Sequence, residues 1–181
     1  MENQKIIEKS NSKNNVKSIC FTGVMAALVF VFTFTFKIPA ATGYIHLGDC
    51  IIFLSVAILG TKRAAFAGSI GAALADLIGG YAIWIPPTLI IKLVMALICG
   101  YIAEHLVKKD ILGFIVGAVA GGVFQICAYS IAHFFLYGKA AAIASLPGLL
   151  VQTSAGVAIS LILITILNKT NAIKKLKKLA E

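Results

Sequence analysis

Apolar residues fall in six long runs along this chain, at roughly 18–36, 45–60, 64–80, 86–107, 111–137 and 147–167. An α-helix rises ~1.5 Å per residue, so about 20 apolar residues cross a ~30 Å hydrocarbon core. The second and third runs, 16 and 17 residues long, are short for that task. They must tilt, thin the bilayer locally, or have ends sheltered by protein. The pattern predicts an all-α integral membrane protein with six transmembrane helices. Residues 1–17 read as a polar segment, disordered or interfacial, residues 18–167 as the membrane domain, and residues 168–181 as a basic tail. The first run carries 19 residues without a charge, longer than the ~7–15 residues of a secretory signal's apolar region, so it is expected to be retained. No internal repeat is evident, and an inverted-repeat transporter normally needs a longer chain.

Composition supports the same class. Hydrophobic residues make up 60% of the 181 positions and charged residues 13%, more apolar surface than a soluble domain of this size can bury. The net charge of +9 resembles a nucleic-acid signal until the basic residues are located. Thirteen lie in segments assigned to one side: Lys5, Lys9, Lys13, Lys17, Lys62, Arg63, Lys108, Lys109, Lys169, Lys174, Lys175, Lys177 and Lys178. Only Lys37 and Lys139 fall on the other. This asymmetry sets both termini in the cytoplasm and removes the reason to expect a nucleic-acid partner. In the tail, Ile173, Leu176, Leu179 and Ala180 recur at helical spacing among four lysines. That pattern predicts an extension of the last helix along anionic lipid headgroups, with partner docking as the alternative. The four cysteines are scattered without CxxC spacing and read as small packing residues, so no metal site or cofactor is expected.

Three charged side chains, Asp49, Asp76 and Lys92, sit inside the apolar runs. Each costs at least ~2.5–3.5 kcal/mol at a bilayer centre, so such residues are kept for a ligand, a pairing or a pathway. Once oriented, all three fall toward the outer face, Lys92 roughly 9 Å below the start of its helix. Asp49 also suits a helix cap, Asp76 could pair with Lys92 to hold helices together, and Lys92 could snorkel. Gln125, Tyr129, His133 and Tyr137 recur every four residues and form one polar stripe at the same depth. His46, Thr88 and Gln152 lie nearby, as do Tyr81 and Trp84 on a Gly/Pro-rich connection. Such rings stack on planar heterocycles, although interfacial Tyr and Trp are also ordinary membrane anchors. The inner half carries instead small residues at four-residue spacing: Ala64, Gly68 and Ala72, then Ala96 and Gly100, then Gly113, Gly117 and Gly121. Such stripes let helix backbones approach closely. A site on one side with no polar route through the other half suggests a binding subunit more than a conduit.

The chain resembles the substrate-binding S component of energy-coupling factor (ECF) vitamin transporters, the riboflavin-transporter-like group. The resemblance covers most of residues 17–167 and is densest in Gly43-Tyr44-Ile45-His46-Leu47-Gly48-Asp49, Gly71-Ala72-Ala73-Leu74-Ala75-Asp76-Leu77 and Pro86-Pro87-Thr88-Leu89-Ile90-Ile91-Lys92. It implies a vitamin pocket near the outer surface of a bacterial cell membrane. It also implies partners, a transmembrane coupling subunit and two cytoplasmic ATPases. Family members are thought to topple in the membrane while carrying their vitamin. The family docks through a small-xxx-small motif on its first helix. The nearest match here is Gly23-x-x-x-Ala27, with Ala26 beside it and glycine where alanine is usual. Ordinary helix packing is the other use for that motif.

The expected ligand is a small water-soluble vitamin or precursor of pyridoxine, hydroxymethylpyrimidine or flavin type, with one-ring compounds favoured. The competing functions are a self-sufficient secondary transporter and a small intramembrane enzyme using Asp49, Asp76 and His133. No HExxH, GxSxG or comparable catalytic pattern occurs, so no catalytic residue is assigned. If Lys92 faces the pocket, Lys92→Ala should weaken binding more than folded yield.

Overall fold

The apolar runs fold as helices, and the polar boundaries between them depart from expectation in four places. The computed structural model of the chain describes residues 2–40, 43–107 and 110–180. Lys108 and Lys109, two of the thirteen basic residues, lie outside them. Helix α1 spans Glu2–Thr35. The polar N-terminal segment is therefore continuous with the first apolar run, not a separate disordered stretch. No Gly or Pro interrupts residues 2–22, and nothing else stops the helix. The chain then forms a two-stranded antiparallel hairpin, β1 (Lys37–Ala40) and β2 (Gly43–His46), in register Lys37↔His46 and Pro39↔Tyr44. The all-α expectation misses this hairpin, and His46 belongs to it and not to a helix.

Helix α2 (Gly48–Leu59) follows, then α3 (Thr61–Ile78). A short turn at Ala82–Trp84 leads into α4 (Ile85–Tyr101), whose last turn widens at Ile102–Leu106. Pro86 and Pro87 open α4, where missing N–H groups cost nothing. Helix α5 spans Asp110–Tyr137 and α6 spans Lys139–Lys169. Only Gly138 separates them, at φ 86°, a left-handed turn that glycine adopts freely. The sequence reading started α6 at Pro147. The alanine-rich stretch before it is helical instead, and Pro147 lies inside the helix. The tail does not extend α6. Asn171 breaks the chain at φ 56°, and α7 (Ala172–Ala180) turns back onto the bundle, burying Ile173 and Ala180. Arg63 fixes its end, with Nη1 donating to the Ala180 carbonyl and to Ser18 Oγ, both at 2.6 Å.

Four helical stretches among the described residues are long and apolar enough to cross a membrane: Val16–Thr35, Ala82–Leu106, Ile111–Tyr137 and Lys139–Lys169. Helix α2 is different. Its twelve residues reach only ~18 Å. All but Ala57 are buried, with α1, α3, α4, α6 and α7 packed around it. Of the three ways to accommodate a short apolar run, the structure uses shelter by protein. Large apolar side chains such as Phe66, Ile90, Ile131, Phe135 and Val151 face outward from the surrounding helices, as lipid contact requires. The small-residue stripes lie at the closest approaches. A methyl on Gly71 would strike the Ala26 carbonyl of α1, and one on Gly117 would strike the Cys99 carbonyl of α4.

Candidate substrate-binding site

At one end of the bundle lie the hairpin, the start of α2, the end of α3, the start of α4, the end of α5 and the first half of α6. The polar residues there form two layers. The deeper layer centres on Asp49, in the first turn of α2, where the helix dipole favours a carboxylate. Lys92 Nζ donates to Asp49 Oδ1 and to Gln125 Oε1, both at 2.5 Å. Gln125 Nε2 donates to Asp49 Oδ2 at 2.7 Å and to Thr153 Oγ1 at 2.9 Å. Gln152 Nε2 reaches the same Oδ2 at 3.0 Å, and its Oε1 accepts the His46 backbone N–H at 3.2 Å. Asp49, Lys92 and Gln125 are all 0% exposed. This network joins α2, α4, α5, α6 and β2 through groups that satisfy one another. Asp76 is not the partner of Lys92: the pairing offered from depth alone is replaced by Asp49. Lys92 is not among the residues lining the cavity above it, and its Nζ lies 5.2 Å from the ring centroid of Tyr129.

The upper layer is a cavity enclosing about 770 Å³ of empty space, mouth included. Of the sequence-derived candidates, His46, Asp76, Trp84, Thr88, Tyr129, His133 and Gln152 line it. Asp49, Lys92 and Gln125 lie beneath, and Tyr81 stands outside with its ring 4.8 Å from that of Tyr44. The stripe on α5 divides between layers: Gln125 serves the network, Tyr129 and His133 face the cavity, and Tyr137 meets the Trp84 ring at 6.0 Å. Trp84 also lies 4.5 Å from the His133 ring and 6.0 Å from Tyr129, giving an aromatic wall. Tyr129 donates to Thr88 Oγ1 at 3.2 Å, and His133 Nδ1 donates to the Tyr129 carbonyl at 2.8 Å. His46 Nδ1 accepts the Gly48 N–H at 3.1 Å, which assigns its ring proton to Nε2.

Three polar lining residues lay beyond the candidate set: Tyr44, Thr33 and Ser145, whose hydroxyl donates to the Ala142 carbonyl. Tyr44 on β2 donates to Asp76 Oδ1 at 2.5 Å and clips the hairpin over α3. Burial, then the adjacent carboxylate, pushes its phenol above the ordinary range, so it stays a donor. Thr33 comes from the last turns of α1. Strand alternation pairs Tyr44 with His46 on one face, a signal legible only once residues 37–46 are read as a hairpin. Thr33 offered no signal beyond a hydroxyl near the end of an apolar helix. Among the described residues, three buried polar atoms at the cavity have no partner: Asp76 Oδ2, Trp84 Nε1 and Thr33 Oγ1. Buried polar groups are ordinarily hydrogen-bonded, and an unmade bond costs about 1–3 kcal/mol. Three such atoms around one aromatic-walled cavity are what a polar, planar ligand would satisfy.

At the docking motif, Gly23 and Ala27 are exposed on α1, and a side chain added at Gly23 would meet nothing within 4 Å. Ala26 is turned partly inward, its carbonyl against Gly71 of α3.

Membrane-length apolar helices around an aromatic, hydrogen-bonding cavity define a multi-pass membrane protein with a small-molecule pocket. Residues 13–169 match the family described as ECF-type riboflavin transporter, S component, and the chain belongs to that family. It is 29% identical over 173 residues to the thiamine precursor transporter HmpT of Lactococcus lactis subsp. cremoris, covering 94% of this chain and 99% of the relative. An uncharacterized Pyrococcus woesei protein is 34% identical over 122 residues, covering 67% of this chain and 80% of that one. The fold matches ThiT from Listeria monocytogenes with a TM-score of 0.63 at 19% identity, over 92% of this chain and 98% of that one.

Proposed function

We propose that this chain captures a single-ring vitamin or vitamin precursor at the outer face of a bacterial cell membrane, as the substrate-specific subunit of an ECF-type transporter. The observation that carries this reading is the cavity itself: aromatic walls, with buried donors and acceptors that lack protein partners. The unpartnered cavity atoms, one donor, one acceptor and one hydroxyl, are a short inventory that a single substituted ring can satisfy. The similarity to a thiamine precursor transporter along nearly the whole chain points the same way.

In this reading α1 to α6 are six crossings with both termini in the cytoplasm. The lysine distribution supports it, since the cavity lies at the end away from Lys62, Arg63, Lys169 and the α7 lysines. Energy comes from partners, a transmembrane coupling subunit and two ATPases. The exposed Gly23–Ala27 stripe on α1 is the surface offered to the coupling subunit, with Ala26 set behind it. Purification from membranes of cells grown in rich medium, with mass spectrometry of the retained ligand, tests the function directly. Recovery of a pyrimidine or pyridine compound supports it, and recovery of a flavin overturns the single-ring assignment.

A further inference from the structure

The charge balance around the cavity is uneven in a way that selects among ring compounds. Lys92, the intramembrane cation, is enclosed below the cavity by Asp49 and Gln125, both within hydrogen-bond reach. Among the described residues, no Lys or Arg lines the cavity. Lys37 on β1 lies to the side, 4.2 Å from the Phe34 ring centroid and 5.9 Å from that of Tyr44. Helix N-termini do not make up the deficit. Helix α4 carries Pro86 and Pro87, which lack N–H groups, in its first turn, and α2 carries Asp49 in its first turn. His46 accepts at Nδ1, which describes a neutral ring.

Against this stands one carboxylate. Asp76 is 3% exposed and lines the cavity; Oδ1 accepts the Tyr44 phenol, and Oδ2 has no partner. When ionised, with Oδ1 already accepting the phenol, the carboxylate can only accept at Oδ2, and the ligand then supplies a donor there. Trp84 Nε1, 5% exposed and also unpartnered, only donates, so the ligand must supply an acceptor as well. A phosphate ester carries about −1.5 to −2 charges at neutral pH and takes its strong partners from Arg, Lys or clustered N–H groups.

We infer that Asp76 is the specificity-determining residue of this pocket: it selects a ring bearing an exocyclic amine and rejects the phosphorylated form of the same compound. The inference rests on the single-ring reading above and adds which chemical form of the ring is carried. An amine-bearing ring gains a charge-assisted bond to Oδ2. Its oxygen analogue, with a carbonyl in place of the amine, sets acceptor against acceptor. Its phosphate ester brings like charge into a cavity with no cation to meet it.

The sole tryptophan of the chain, Trp84, lines the cavity, so quenching of its fluorescence reports occupancy. The test uses the purified full-length protein in lipid nanodiscs, titrated with a hydroxymethyl-aminopyrimidine, its carbonyl analogue and its phosphate ester. Pyridoxamine, pyridoxal and pyridoxamine phosphate form a second set. In at least one set the amine should bind roughly ten- to hundred-fold more tightly than the other two forms. In Asp76→Asn, with melting checked for folding, the preference should collapse to within about three-fold. Equal binding of the three forms, or full discrimination retained by the variant, overturns the inference and leaves the single-ring reading standing. Failure of every compound in both sets to bind overturns both.

Discussion

Asp49 and Asp76 are buried carboxylates at the same end of the bundle, yet their surroundings are opposite. Asp49 receives Lys92, Gln125 and Gln152, so both oxygens are engaged. Asp76 receives Tyr44 on one oxygen and nothing on the other. The first arrangement is closed: its charge and hydrogen-bonding capacity are answered within the protein, and it holds four helices and a strand in register. The second is open toward a cavity and incomplete without something to fill it. Burial alone therefore does not mark a binding residue. What separates the two is whether the protein leaves an atom unanswered.

Removing Lys92 should separate the layers most sharply. Lys92→Ala leaves Asp49 buried without its cation, a loss of about 3–5 kcal/mol, while replacing Lys92 and Asp49 together by Met and Leu should recover only part of it, because Gln125 and Gln152 then lose partners. Thermal unfolding in detergent reads this. A variant that melts normally but loses affinity would put Lys92 back in the pocket. Trp84→Phe keeps the ring and removes the unpartnered N–H. Affinity by calorimetry should fall by about 1–2 kcal/mol, with little change in melting. Tyr44→Phe removes the clip between hairpin and α3, and should cost about 1 kcal/mol shared between stability and affinity. Gly23→Leu on α1 touches neither layer. It should leave melting and binding unchanged while uptake in cells containing the coupling module is lost; reduced binding would instead show that the Gly23 face of α1 supports the pocket.

The membrane class, the depth of the polar residues and the small-residue stripes were legible because each depends on composition or on the 3.6-residue period. Gly117 and Gly71 sit at close helix approaches for the reason their spacing suggests. The four-residue stripe on α5 correctly grouped Gln125, Tyr129 and His133 on one face. Depth, however, carries no azimuth. Counting along the helices puts Asp76 and Lys92 at similar depth, but the packing of α2 between α3 and α6 sets Lys92 in the deeper layer, turned to Asp49. The hairpin escaped notice because strands of four residues beside apolar runs carry too little alternation to stand out. Pro147 misled in the ordinary way, since a proline more often opens a helix than sits within one. The fold of the tail turned on Asn171, a single residue able to adopt the left-handed turn.

The partners of Asp49 also set an order of assembly. Its cation lies 43 residues further along the chain, Gln125 lies 76 residues away and Gln152 103. During synthesis Asp49 emerges early and stays uncompensated until α4 arrives, and its coordination closes only when α6 is in place. Helix α2, which has no face of its own for lipid, must likewise wait for neighbours made later. Contacts of such long sequence separation are slow to form. A chain stalled or truncated before α6 would therefore expose an unfinished polar centre, the kind of lesion that membrane quality control can recognise.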